Sequence, residues 1–317
     1  MTAGVAMPSD TALIAPLPVP VSIPSPRADN PVRRGVGWMM LCLFLFALMD
    51  VLQKELVAHY PAMEVMFFRS LFSLVPLAVV LVRTGGWGAL ATRRPCGHLL
   101  RSIVGALSVA GFIHAFGGLP FADVYAISFA GPLFVTALSA PLLGEAVRAR
   151  QWVAVGVGFL GVLVMLNPGA GLLSGTALLC VAATSFGALA SICVRRLSRT
   201  ETNVSIVFYF TLACGVLGGV GMIPDFVMPD ARGLALMAGA GLLSTVAQLA
   251  MTQAYRLAPA AVVAPFSYSS MLWAVMFGAL LFGEMPGLAT LVGTVIVMGS
   301  GLYLLQGGSL QGGGARA

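Results

Sequence analysis

The sequence predicts an all-α polytopic membrane protein, with ten transmembrane helices arranged as two inverted five-helix repeats. Three observations predict it. The first is composition: 59% of the 317 residues are hydrophobic and 9% charged, against about 45–50% and about 25% in soluble domains. With a mean hydropathy of +0.97, the chain's solvent is mostly lipid. The second is a series of apolar stretches, each close to the roughly 20 residues that cross a bilayer. The third is an internal repeat. Such scarcity of charge excludes a nucleic-acid-binding protein, a disordered regulator and an ordinary soluble enzyme. The net charge of +6 reports orientation rather than a polyanionic partner.

Taken in order, residues 1–34 are rich in Pro, Ala and Ser, with no apolar region behind a basic start. They predict a disordered cytoplasmic tail, not a secretory signal peptide. Spans follow at about 36–57, 62–82, 98–118, 122–144 and 151–167, the first repeat occupying 35–168. A second set lies at about 173–194, 203–223, 233–255, 259–282 and 287–305, within a repeat at 169–306. The Gly-rich stretch 307–317 predicts a flexible tail. Two apolar stretches are about twice a bilayer thickness and must turn, at Gly117-Gly118-Leu119-Pro120 and at Leu257-Ala258-Pro259.

Orientation follows from the arginines. Arg27, Arg33 and Arg34 precede span one; Arg83, Arg93, Arg94, Arg101, Arg148, Arg150, Arg195, Arg196, Arg199, Arg256 and Arg316 then fall on the same side. Fourteen of the seventeen basic residues therefore place both termini in the cytoplasm.

Residues 115–145 align without gaps on 254–284. The informative identities are Pro120/Pro259 at the helix start and Leu142/Leu281, Gly144/Gly283 and Glu145/Glu284 at the helix end; Ser128/Ser267 is also identical. These are spans four and nine. An odd number of crossings relates them, so the copies run in opposite directions. Inverted repeats are a transporter device, with substrate held near the midplane between halves.

The helix Pro120…Ser128…Pro132…Gly144-Glu145 and its copy Pro259…Ser267…Gly283-Glu284, set in ten spans, resemble the drug/metabolite transporter superfamily in its EamA-type branch. A second signature, Met49-Asp50-x-x-x-Lys54, Tyr60-Pro61-x-x-Glu64 and Phe68-Arg69, is similar to the bacterial subgroup that includes S-adenosylmethionine and riboflavin uptake carriers. The resemblance implies a secondary transporter in the bacterial inner membrane, moving a small organic metabolite by alternating access, coupled to protons or to exchange. It implies no cofactor, and a monomer or homodimer in the bilayer. Export of an opine-like metallophore, drug or amino-acid-like compound is the alternative. A passive channel and an intramembrane enzyme are rivals of another class. No HExxH or nucleophile–base set supports the enzyme, and no metal-ligand spacing is present.

Ionisable residues within spans are costly and ask for a partner or a function. Asp50 and Arg69 each lie about seven residues, or roughly 10 Å, from the same membrane face; Lys54 and Glu64 are matched nearer the surface. One reading is two ion pairs, Asp50–Arg69 and Lys54–Glu64. The other is a site in which Arg69 or Lys54 meets an acidic group of the substrate and Asp50 is the coupling carboxylate. Stripes at helical spacing supply further candidates: Tyr125, Ser128 and Thr136 in span four, Ser267, Ser270 and Trp273 in span nine, Gln248 in span eight. Pro132 and Pro265 predict kinks that serve as hinges. Gly156, Gly158 and Gly161, and the glycines within 215–219 (Gly215, Gly218 and Gly219), predict close helix packing. His114 reads as a core histidine or a proton relay, and the scattered cysteines as small hydrophobes.

Overall fold

A computed structural model describes residues 31–83, 86–143, 149–166, 175–197, 200–258 and 264–309. Glu145, Arg148, Arg199 and Pro259 lie outside them, as do both ends of the chain. The helices are α1 (Pro31–Val57), α2 (Ala62–Arg83), α3 (Pro95–Gly118), α4 (Phe121–Ser128), α5 (Gly131–Leu143) and α6 (Ala149–Leu166) in the first half. In the second half come α7 (Gly175–Leu197), α8 (Asn203–Gly221), α9 (Ala231–Leu257), a 3₁₀ segment Ala264–Ser269, α10 (Ser270–Phe282) and α11 (Leu288–Ser309). Among the described residues, eight helical stretches are long and apolar enough to cross a membrane, α4 and α5 counting together as Phe121–Leu138. Two shorter apolar helices, Phe266–Phe282 and Leu288–Leu304, complete the ten.

Residue chemistry sets several boundaries. Pro95 opens α3, where its missing N–H costs nothing. Thr202 caps α8 by accepting from Ser205 N–H at 3.1 Å. Asp230 caps α9 through Gly233 N–H at 2.6 Å, and that bond, with the Tyr60 hydroxyl, holds its carboxyl below the usual carboxylate range. Gly283 ends α10 at φ +65°, a conformation that favours glycine. The turn lets Glu284 N–H reach back to Gly278 O at 2.9 Å, which aims the Glu284 side chain. This is the physical reason for a Gly-Glu pair at a helix end.

Packing follows the inverted repeat. The principal neighbours are α1 with α9, α3 with α7, α6 with α11, α2 with α8, α2 with α9, and α3 with α8. Exchanging each span for the one five later maps α1–α9 onto α7–α3 and α2–α9 onto α8–α3, while α2–α8 and α6–α11 map onto themselves. The halves thus interlock within one compact unit. Side chains such as Val75, Val82, Val153, Leu160 and Leu280 stay exposed on the outward faces, as lipid contact requires.

Glycine permits a close approach of α6 and α11. A methyl group at Gly293 would lie 2.6 Å from Gly161 O, whereas one at Gly299 on the same helix would meet nothing within 4 Å. Gly293→Val is therefore expected to destabilise by about 1–3 kcal/mol or more through overpacking. It should lower the thermal midpoint of the detergent-purified protein and erode its monodisperse peak. Gly299→Ala should leave both unchanged.

Three expectations change. Pro132 is not a kink inside a helix but the second residue of α5, after a break at Phe129–Ala130 carried by three-residue bonds such as Ala130 N–H to Ile127 O at 3.0 Å. Pro265 lies in the 3₁₀ segment before α10, so spans four and nine are both interrupted. Arg101, counted above among the loop arginines, lies inside α3.

Candidate functional site

A cavity of about 220 Å³ opens between α1, α2, α3 and α4. The face of α1 presents Met49, Asp50 and Gln53; α2 presents Arg69; α4 presents Val124, Tyr125 and Ser128. The α3 wall is apolar, with Val109, Phe112, Ile113 and Phe116. Spacing explains the polar side: Asp50 and Gln53 are three residues apart, hence on one helix face.

These groups form a continuous chain of hydrogen bonds. The Tyr125 hydroxyl donates to Asp50 Oδ2 at 2.7 Å, and Gln53 Nε2 donates to Asp50 Oδ1 at 2.6 Å. Arg69 Nη1 donates to Gln53 Oε1 at 3.2 Å and weakly to Met49 Sδ at 3.7 Å. Ser128 donates to Tyr125 O at 2.7 Å, closing the rim. Asp50 and Arg69 are therefore joined through Gln53 rather than by the direct ion pair that matched depths suggested. Arg69 is buried, and its Nε has no hydrogen-bond partner. The cavity thus offers an acceptor, Asp50, and an under-satisfied guanidinium a few ångströms apart, beside aromatic rings.

A clasp lies immediately beyond, at the arginine-poor end of the helices. Lys54 Nζ sits 2.7 and 2.8 Å from the two Glu284 oxygens and 3.0 Å from Leu119 O. Glu284 Oε2 also accepts from Phe121 N–H at 2.7 Å, at the start of α4. The Lys54 ammonium lies 5.1 Å from the centre of the Phe282 ring. Phe121 stacks on Phe116 with ring centres 5.3 Å apart. Lys54, Glu284, Leu119, Phe282 and Phe116 line a second cavity of about 360 Å³. Phe116 faces both cavities, so the clasp and its rings form the partition between them.

This corrects the Lys54–Glu64 pairing. Glu64 is fully buried and accepts from Val227 N–H at 3.0 Å instead. Equal depth says nothing about which way a side chain points around its helix. Of the sequence candidates, Asp50, Arg69, Tyr125 and Ser128 meet in one cavity and Lys54 stands at its edge. The others lie elsewhere. Gln248 lines a separate cavity of about 450 Å³ with Glu201, Thr202 and Thr245. Ser270 bonds back to Ser267 O at 2.6 Å, and Trp273 packs edge-on against Phe44 at 5.0 Å. His114 is exposed on α3, so it is not a core histidine. Cys42, Cys180, Cys193 and Cys214 are buried free thiols, while Cys96 is exposed. The reading of residues did not pick out Gln53 and Glu284 as site members. Both carried a signal: Gln53 shares the Asp50 face, and Glu284 closes the repeated motif.

The family model for the EamA-like transporter family matches the chain twice, at residues 33–167 and 173–306. Among curated proteins, the pseudopaline exporter of Pseudomonas aeruginosa is 32% identical over 84% of this chain and 94% of its own length. The riboflavin transporter of Rhizobium johnstonii is 28% identical over 88% and 94%. An S-adenosylmethionine uptake transporter of Rickettsia prowazekii is 28% identical over 86% and 92%. A solved crystal structure with 18% identity shares the fold, with a TM-score of 0.59 over 86% of this chain and 97% of that one. All three named relatives are transporters, not enzymes. With both halves matched by the family model, the chain belongs to the EamA-like transporter family.

Proposed function

We propose that the chain is a secondary transporter in a bacterial inner membrane, both termini in the cytoplasm, that works by alternating access. Its cargo is a small metabolite carrying both a carboxylate and an ammonium or similar donor. The observation that carries this reading is the Arg69 guanidinium, which touches no carboxylate directly and leaves its Nε without a hydrogen-bond partner, facing the same cavity as Asp50. A substrate carboxylate completes Arg69, and a substrate ammonium, or a coupling proton, takes Asp50. Phe112, Phe116 and Tyr125 supply a surface for a flat ring. S-adenosylmethionine, an amino acid joined to a nucleoside, has this chemistry, and so does an opine-like chelator. Closure at the arginine-poor end comes from the Lys54–Glu284 clasp, and one chain contains the entire site, so a monomer suffices.

A thermal-stabilisation screen of purified protein tests this, with S-adenosylmethionine, opine-like chelators, zwitterionic amino acids and riboflavin. Amphoteric compounds are expected to raise the midpoint, and Arg69→Gln to abolish the effect. Stabilisation by riboflavin alone, or equal stabilisation of the Arg69→Gln variant, would overturn the reading. Saturable counterflow in proteoliposomes then separates a carrier from a channel.

A further inference from the structure

Arg101 occupies a position that its sequence context does not foretell. It lies about 9 Å into α3 from the arginine-rich end, close enough for a long side chain to snorkel back to that surface. Instead it turns deeper. A methyl group at Gly105, one turn further in, would lie 2.5 Å from Arg101 Nη1, so the absence of a side chain at 105 makes room for the guanidinium. The guanidinium stacks over Phe210 of α8 at 3.8 Å. Its Nε and Nη1 have no hydrogen-bond partner, and it makes no ion pair among the described residues.

The direction matters. Arg101, Gly105, Val109, Phe112 and Phe116 fall at helical spacing along one face of α3, and the last three line the Arg69 cavity. The Cys214 thiol of α8 is an electrostatic neighbour of both Arg101 and Arg69. Of these two guanidiniums, Arg69 lies in the field of Asp50, whereas Arg101, about two turns nearer the arginine-rich end, makes no ion pair among the described residues. An ionised group buried without a counter-charge is strongly destabilising unless something else supplies that charge.

We propose that Arg101 is a second anion-binding station, which receives the carboxylate of the cargo as it moves between the Arg69 cavity and the arginine-rich face. The proposal rests on the carboxylate-bearing cargo inferred above. The stacked Phe210 ring holds the guanidinium plane, and the cargo's carboxylate supplies the missing acceptors. Arg101 is here a binding residue of the path, and its role shows in passage rather than in first binding.

The test needs no identified cargo. In full-length protein with Cys214 as the sole cysteine, its labelling rate is measured with anionic sulfonatoethyl methanethiosulfonate and with neutral methyl methanethiosulfonate. The ratio of the two rates cancels any change in thiol reactivity. Because a focused positive potential raises anion encounter, the ratio should fall about tenfold in Arg101→Gln and survive in Arg101→Lys. Gly105→Ala, which denies the guanidinium its inward pose, should lower it as Arg101→Gln does and covers the case in which the glutamine variant does not fold. An unchanged ratio in both, or a Cys214 that the anionic reagent never reaches, overturns the proposal. The outcome is independent of the stabilisation screen: a collapsed ratio with no loss of binding in Arg69→Gln would retain the anion path and remove the cavity assignment.

Discussion

Replacing Glu284 with alanine is expected to slow counterflow in proteoliposomes by about thirtyfold, by holding the arginine-poor end open. The substitution strands two donors, the Lys54 ammonium and the Phe121 N–H. Removing one partner of a hydrogen-bonded charge pair costs about 2–5 kcal/mol. Because the Glu284 side chain is 30% exposed, the lower figure applies, and about 2 kcal/mol is roughly thirtyfold in an equilibrium. Glu284→Gln keeps an acceptor for one donor and should fall between wild type and alanine. The swapped pair Lys54→Glu with Glu284→Lys gives a sharper result. An isolated ion pair tolerates such a swap. Here a carboxylate at 54 would face Leu119 O, and an ammonium at 284 would face Phe121 N–H, so the swap should rescue nothing. Full rescue would reduce the clasp to a simple charge pair.

The second large effect belongs to the cavity. Arg69→Gln should weaken binding of the stabilising compound by about a hundredfold, since hydrogen bonds to charged groups contribute about 1.5–3 kcal/mol each. Asp50→Asn preserves shape and the bond from Tyr125, and should still fold. It removes the group that exchanges a proton or an ammonium, so transport should stop responding to an imposed pH gradient. Tyr125→Phe deletes one bond to Asp50 and should cost about fivefold in affinity, near the 1 kcal/mol of an ordinary hydrogen bond. Wild-type rate and pH response in both the Asp50 and the Arg69 variant would leave these residues a structural link between α1 and α2.

The fold was legible because its causes are one-dimensional. Span length, arginine asymmetry and the Pro…Gly-Glu repeat each read directly from the chain, and the packing repeats under exchange of the halves. Depth was legible too: Asp50 and Arg69 do reach one cavity. What depth cannot supply is direction around a helix. Glu64 turns to the backbone of Val227, which left Lys54 free to meet Glu284, more than two hundred residues away in sequence. Gln248 does line a cavity, but one shared with Thr245 and Thr202 and apart from Asp50 and Arg69. Arg101 was read as a loop charge because its count fitted the orientation rule. Gly105, one turn on, was the sign that its side chain has room to enter the protein.

Alternating access requires that one cavity be exposed to the two membrane faces in turn. Ser128 lines that cavity, so a Ser128→Cys variant with the native cysteines replaced reports on it. Its labelling by a membrane-impermeant thiol reagent is to be measured from each face, with Glu284 present and with Glu284→Ala. Reciprocal change is expected: faster labelling from the arginine-poor face and slower labelling from the arginine-rich face when the clasp is removed. A parallel rise from both faces, or no change from either, would contradict it.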